Sequence, residues 1–262
     1  MRERSGKPPG RPHDLVESLK QLLDLSQASL SGLTVPSTLR YRILAGITAV
    51  AHVHVSGIIE LARTGNTWSA EVVLRPLLEG WIVSQYVLGD DADARAASYG
   101  LKSLKETKKY LKRMRRLAEE NPQDERRILS SAGVSSLNEC ESRDTQLTRD
   151  ISQIEEQYGT RGFPSLENCA RSLGWQTEWT YASVYSFLLS AQVHVGFGVT
   201  LPFVQPPIPD TVQARAEGMH RVVITAYMLY LDLLRMTSAH LGRPSSESLA
   251  PFDDVLAKHR PA

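Results

Sequence analysis

The sequence predicts an all-α protein, a multi-helix bundle with a long, charged, antiparallel helical hairpin. Three observations predict it. Apolar residues recur at three- and four-residue spacing through most of the chain. Period-two alternation is confined to His52-Val53-His54-Val55, inside a longer apolar run. The breaks between periodic segments are built from Gly, Pro, Asn and Asp, the residues that end and cap helices.

Taken in order, residues 1–13 (MRERSGKPPGRPH) are basic and Pro/Gly-rich with no apolar run behind them, so a disordered lead-in is expected. Asp14 with Glu17 forms an N-cap signal for a helix to about Leu30. Gly32 and Pro36 interrupt, Ser37 or Thr38 can cap, and a second helix runs to about Arg63. Thr64-Gly65-Asn66 breaks it before a third helix from Trp68 to about Leu88. GDDAD at 89–93 is the next turn, and a long helix follows over 94–119. The weak signal at 126–138 supports a short helix and a loop, and 139–158 reads as another long helix. There Leu147, Ile151, Ile154 and Tyr158 form a heptad-like seam. A short helix near 165–173 leads to one over about 178–196, and LPFVQPPIPD at 201–210 can only connect. A last long helix covers 211–241, before Gly242 and Pro244. The expected organisation is one helical domain over 14–242, with 94–158 projecting as the hairpin, and a tail over 243–262.

Composition narrows the function classes. A net charge of +1 gives no global attraction to nucleic acid or anionic membranes. Cys140 and Cys169 form no metal spacing and no disulfide framework, which favours a reducing cytoplasm. Residues 43–59 and 181–204 lack charged residues and approach spanning length, but both carry polar interruptions, and no membrane span is expected. No repeat of 20–50 residues is visible.

The segment 102–116, KSLKETKKYLKRMRR, has eight basic side chains against Glu106. Such a run can contact RNA phosphates. The helix at 139–158 argues for another use, since it carries Glu139, Glu141, Asp144, Asp150, Glu155 and Glu156 against two arginines. Two long helices with narrow apolar seams and opposite charge are suited to pair with each other. An RNA contact through 102–116 is therefore the less favoured use of that face.

The apolar helices contain polar residues that need partners. Arg75 and Glu79 are four apart and share a helical face, with Glu71 one turn before. Leu74, Leu77, Leu78, Trp81 and Ile82 surround them, so the ion pair is expected in or beside the core. Pro76 disfavours helical geometry at Arg75, so a kink is expected there. In YSFLLSAQVHVGFG (185–198), Ser186, Ser190 and His194 line one face, and Tyr181 and Tyr185 a neighbouring one. Their hydroxyls and imidazole need partners on another helix, for which Arg75 and Glu79 are candidates. One reading is a buried network that fixes how helices pair. The other is a site. In it His194 is the general acid or base, Arg75 stabilises developing negative charge and Glu79 orients one of them. Tyr185, Ser186, Ser190 and Glu71 then bind the ligand.

Arg75 and Glu79 with the later Tyr185, Ser190 and His194 resemble the "R-x-L-x-E" and "Y-x-x-x-S-x-x-x-H" stretches of a bacterial helical family, the domain of unknown function 5677 type. The resemblance covers roughly 40–240 and implies a helical fold with a common polar site; Pro76 departs from the family's pattern. A looser resemblance is to HEPN-type nucleotide-binding and ribonuclease domains, whose signature is Arg, four to six residues, then His. Here it is matched by Arg215 with His220 and by Arg235 with His240, without the polar residue usual after the arginine.

Other chemistries find little footing. His52 and His54, two apart, point to opposite sides of a helix. Glu217-Gly-Met-His220 is one Glu-x-x-His, where a di-iron bundle needs two. Glu139 and Glu141 flank Cys140 and would raise its pKa. The expectation is a soluble cytoplasmic interaction or regulatory module, non-catalytic, without metal or cofactor, acting with a protein partner or as a homodimer. A phage-defence or toxin-like system is its expected setting. The alternative is a metal-independent endoribonuclease using Arg75, Glu79 and His194.

Overall fold

The computed structural model describes residues 12–160, 162–184 and 212–259. Every regular element among them is helical, as the spacing of apolar residues predicts. The elements are α1 (Pro12–Leu30), α2 (Leu39–Arg63), α3 (Thr67–Leu88), α4 (Ala92–Glu120), a 3₁₀ turn (Pro122–Asp124), α5 (Glu125–Ser131) and α6 (Leu137–Tyr158). They are followed by α7 (Leu166–Ser172), α8 (Trp175–Thr180), α9 (Val212–Leu241), α10 (Ser246–Leu249) and α11 (Pro251–His259). The chain divides into two compact units, Met1–Tyr86 with Leu166–Ala262, and Val87–Ser165.

In the first unit α2 and α9 pack against each other, and α1 lies against both. Side-chain contacts fix the directions. Thr48 meets Thr237 and His52 meets Tyr230, so numbers rise on α2 as they fall on α9, and the two helices are antiparallel. A Cβ added at Gly57 would stand 3.7 Å from Val73, and one at Gly80 would stand 2.9 Å from Ile47, so α3 is antiparallel to α2 as well. Trp81 Nε1 donates to Asp232 Oδ2 over 2.6 Å, and Gly218 lies against Thr67, so α3 and α9 run the same way. The spacing of Leu15, Leu19 and Leu22 puts all three on the inner face of α1, where they are fully buried. Leu44 and Ile58 of α2, Leu74, Leu77, Leu78 and Ile82 of α3, and Tyr227 and Tyr230 of α9 complete this core. Burial of each stabilises by roughly 1.5–3 kcal/mol. α3 continues through Pro76, which removes one backbone hydrogen bond without ending the helix.

By length and composition α2 and the 217–241 part of α9 could cross a membrane, a test that buried core helices also pass. In α2 only 33% of the apolar window is buried, so much of its apolar surface faces outward.

The second unit is built on α4 and α6. Lys105 Nζ lies 2.6 Å from Glu155 Oε1, Lys108 donates to Thr148 over 2.5 Å, and Arg115 lies 3.7 Å from Glu141. Positions climb on one helix as they descend on the other, so the pair is antiparallel and the opposite charges meet. Leu111 and Ala118 of α4 pack with Cys140 and Leu147 of α6, and Leu129 of α5 and Val134 close the cluster. The α6 N-terminus is tied by its own side chains. Ser136 Oγ accepts from the Glu139 N–H, and Glu139 accepts from both the N–H and the hydroxyl of Ser135. Those bonds hold the Glu139 carboxyl below its usual pKa.

The two close glycines give a paired prediction. Gly80→Ala must displace the stiff β-branched Ile47, and a loss of about 1–3 kcal/mol is expected in urea unfolding. Gly57→Ala meets an ordinary contact and gains helix propensity, so it should be neutral or stabilising by up to about 1 kcal/mol.

Candidate polar sites

Arg75 and Glu79 form the ion pair their spacing predicts, Nε to Oε1 at 2.9 Å. It is half-exposed, with 24% and 39% of the two side chains accessible, so it lies beside the core and not within it. An accessible pair of this kind contributes at most about 1 kcal/mol. Glu71, one turn earlier, is buried. Tyr185, Ser186, Ser190 and His194, the other half of the predicted arrangement, lie outside the described residues.

A different polar node joins three helices of the first unit. Ser26 Oγ (α1) lies 2.5 Å from Tyr230 Oη (α9) and 3.2 Å from His52 Nδ1 (α2), and His52 Nδ1 lies 3.3 Å from Tyr230 Oη. Ser26 donates its proton to the Leu23 carbonyl at 2.8 Å. The 2.5 Å contact must then hold the tyrosine proton, with Ser26 accepting, so His52 fits as the Nδ1–H tautomer donating to both oxygens. Ser26 and Tyr230 are fully buried. Burial pushes the Tyr230 phenol up to about 12, against the lowering effect of its bond to Ser26. Below the node, the Thr48 and Thr237 hydroxyls meet at 2.9 Å; one donates across this contact, and the other accepts there while donating to a carbonyl of its own helix (Leu44 or Leu233). Sequence reasoning missed this node because its members lie 26, 178 and 204 positions apart. The signal available was a Ser, a His and a Tyr on the apolar stripes of three helices.

Burial also holds the His52, His54 and His220 pKa values below 6.5, with Asp24 opposing this at His52 and His259 adding to it at His220. The His220 and His259 rings are 5.5 Å apart. Near α1 and α2, a cavity of about 410 Å³ is lined by Glu17, Arg63 and His220 over an apolar floor including Met219 and Val223. In the second of the two Arg–His pairs, Arg235 is bonded to Asp253, and the His240 ring lies tilted beside that of Tyr41, with centroids 6.0 Å apart. Cys140 is buried, and burial more than any neighbouring charge raises its pKa. The flanking Glu139 and Glu141 are not the cause. Among the described residues no group of three His, Cys, Asp or Glu is placed to hold a metal ion. On the second unit, Lys109, Lys112, Arg113 and Arg116 share a shallow depression with Glu106 and the exposed Tyr110.

These features define a helical protein whose polar side chains are used largely on one another. The chain matches the family of unknown function DUF5677 over residues 41–206, more than half its length, and it belongs to that family. The match supports the resemblance to domains of unknown function and gives none to HEPN-type domains. No curated protein and no solved structure matched the chain.

Two outcomes follow from the node. Tyr230→Phe removes the phenol from Ser26 and His52, and a loss of about 1–2 kcal/mol is expected in denaturant unfolding. The three depressed histidines set a pH dependence. The unfolded chain protonates them near 6.5 while the folded chain resists, so it binds more protons and stability falls as pH drops below 6.5. Thermal melts from pH 7.5 to 5.5 should show the decline, smaller in His52→Gln.

Proposed function

We propose that the protein is a soluble, non-catalytic helical interaction module of the cytoplasm. The observation that carries this reading is the outer surface of the α2–α3 hairpin. Val50 and Val53 of α2 are 55% and 67% exposed, and Trp68 and Val72 of α3 are 52% and 46% exposed. Single exposed apolar residues are ordinary, but four on two neighbouring helices leave apolar surface that a partner can cover. The polar groups support the same reading. Arg75 is paired with Glu79, and Ser26, His52 and Tyr230 are occupied with one another. The Ser26, His52 and Tyr230 contacts fix how three helices pair, and the Arg75–Glu79 pair lies within α3.

The competing reading is a metal-independent ribonuclease using Arg75, Glu79 and His194. Wild-type protein and His194→Ala incubated with total RNA separate the two. The expected result is no cleavage by either protein. Cleavage by the wild type that is lost in His194→Ala, at unchanged thermal stability, would overturn the non-catalytic reading.

A further inference from the structure

We infer that the outward face of α2 is a two-fold, antiparallel interface with a second copy of this chain. The inference rests on the reading of the protein as an interaction module and names its partner.

The exposed positions of α2 are Arg42, Gly46, Ala49, Val50, Val53, Ser56, Glu60 and Arg63. From Arg42 to Glu60, Val50 apart, they follow one another at 4, 3, 4, 3 and 4 residues, the spacing of a seam that faces another helix. Nothing among the described residues fills it, since Val53 remains 67% exposed. The seam is also symmetric about position 51. Laid antiparallel on its own copy, Arg42 meets Glu60 of the partner subunit, Gly46 meets Ser56 of the partner subunit, and Ala49 meets Val53 of the partner subunit. Small residues thus face larger ones, and a cation at one end faces an anion at the other.

The charges choose the occupant. Arg42 and Glu60 are separated by about five helical turns, which returns them to one azimuth about 27 Å apart. A face with one positive and one negative end complements its own reverse, the self-complementarity a two-fold interface demands. Arg42 makes no ion pair among the described residues. Glu60 bonds Arg63 of its own helix at 2.8 Å, with 68% of its side chain still exposed, so it can accept a second cation. A contact one helix wide and about 27 Å long falls below the ~800 Å² per partner of a standard interface, so dissociation in the micromolar range is expected.

Sedimentation equilibrium of the full chain up to about 200 µM tests this, because an interface of this size should be populated there. The wild type should show a reversible monomer–dimer equilibrium that weakens with added salt. Arg42→Glu and Glu60→Arg should each weaken it tenfold or more, Val53→Asp likewise, and the double charge swap should restore it. Unchanged circular dichroism confirms that these exposed substitutions leave the fold intact. A wild type that stays monomeric, a dimer indifferent to Arg42→Glu, or a double swap that fails to restore it would overturn the inference. Any of these would leave the RNA assay, which judges the broader reading, unaffected.

Discussion

The first unit depends on how α2 is held between α1 and α9. Ser26, His52 and Tyr230 meet at one point from three helices, and Thr48 and Thr237 meet along the same α2–α9 contact. Apolar packing alone is tolerant of a slide along the helix axis, because Leu and Ile fill space in many registers. Hydroxyls and an imidazole in a buried setting are not tolerant. A shift of one turn would strand each of them without a partner, at a cost of about 1–3 kcal/mol per group. The node therefore sets the register in which the Leu-rich stripes of α1, α2 and α9 pack.

That register has consequences for the surface. With α2 committed to α1 and α9 on one side and touched by α3 at Gly57 and Gly80 on another, its remaining face carries Val50 and Val53 outward. The residues matching the family, 41–206, include α2 and α3 but neither α1 nor α9. The helices that complete the core around α2 are thus supplied by parts of the chain outside the match. The Arg75–Glu79 pair, in contrast, lies inside it, on the accessible side of α3.

The second unit follows a simpler rule. Its apolar seam is narrow, and opposite charges on α4 and α6 select the antiparallel alignment in which Lys105 meets Glu155 and Arg115 meets Glu141. α5 then supplies Leu129, whose complete burial caps the seam. The weak sequence signal around 126–138 gives no hint of that role. Its apolar residues are few and its helix is short, and only the turn at Pro122–Asp124 brings it back onto α4.

The sequence by itself determined the helical class, the placement of the long helices and the Arg75–Glu79 pair. All of these rest on interactions within about four residues, which spacing reports directly. It also indicated the charge match between α4 and α6, because two whole helices of opposite sign leave a compositional trace. Cap chemistry was less legible. Ser136 caps α6 with its side chain, whereas Asp91 takes a left-handed conformation (φ 52°) before α4 and makes no such bond. Tertiary structure alone decided that burial governs Cys140 and that His52 joins Ser26 and Tyr230. Each of these depends on atoms brought together from distant parts of the chain, and local periodicity holds no record of which apolar stripe will face which.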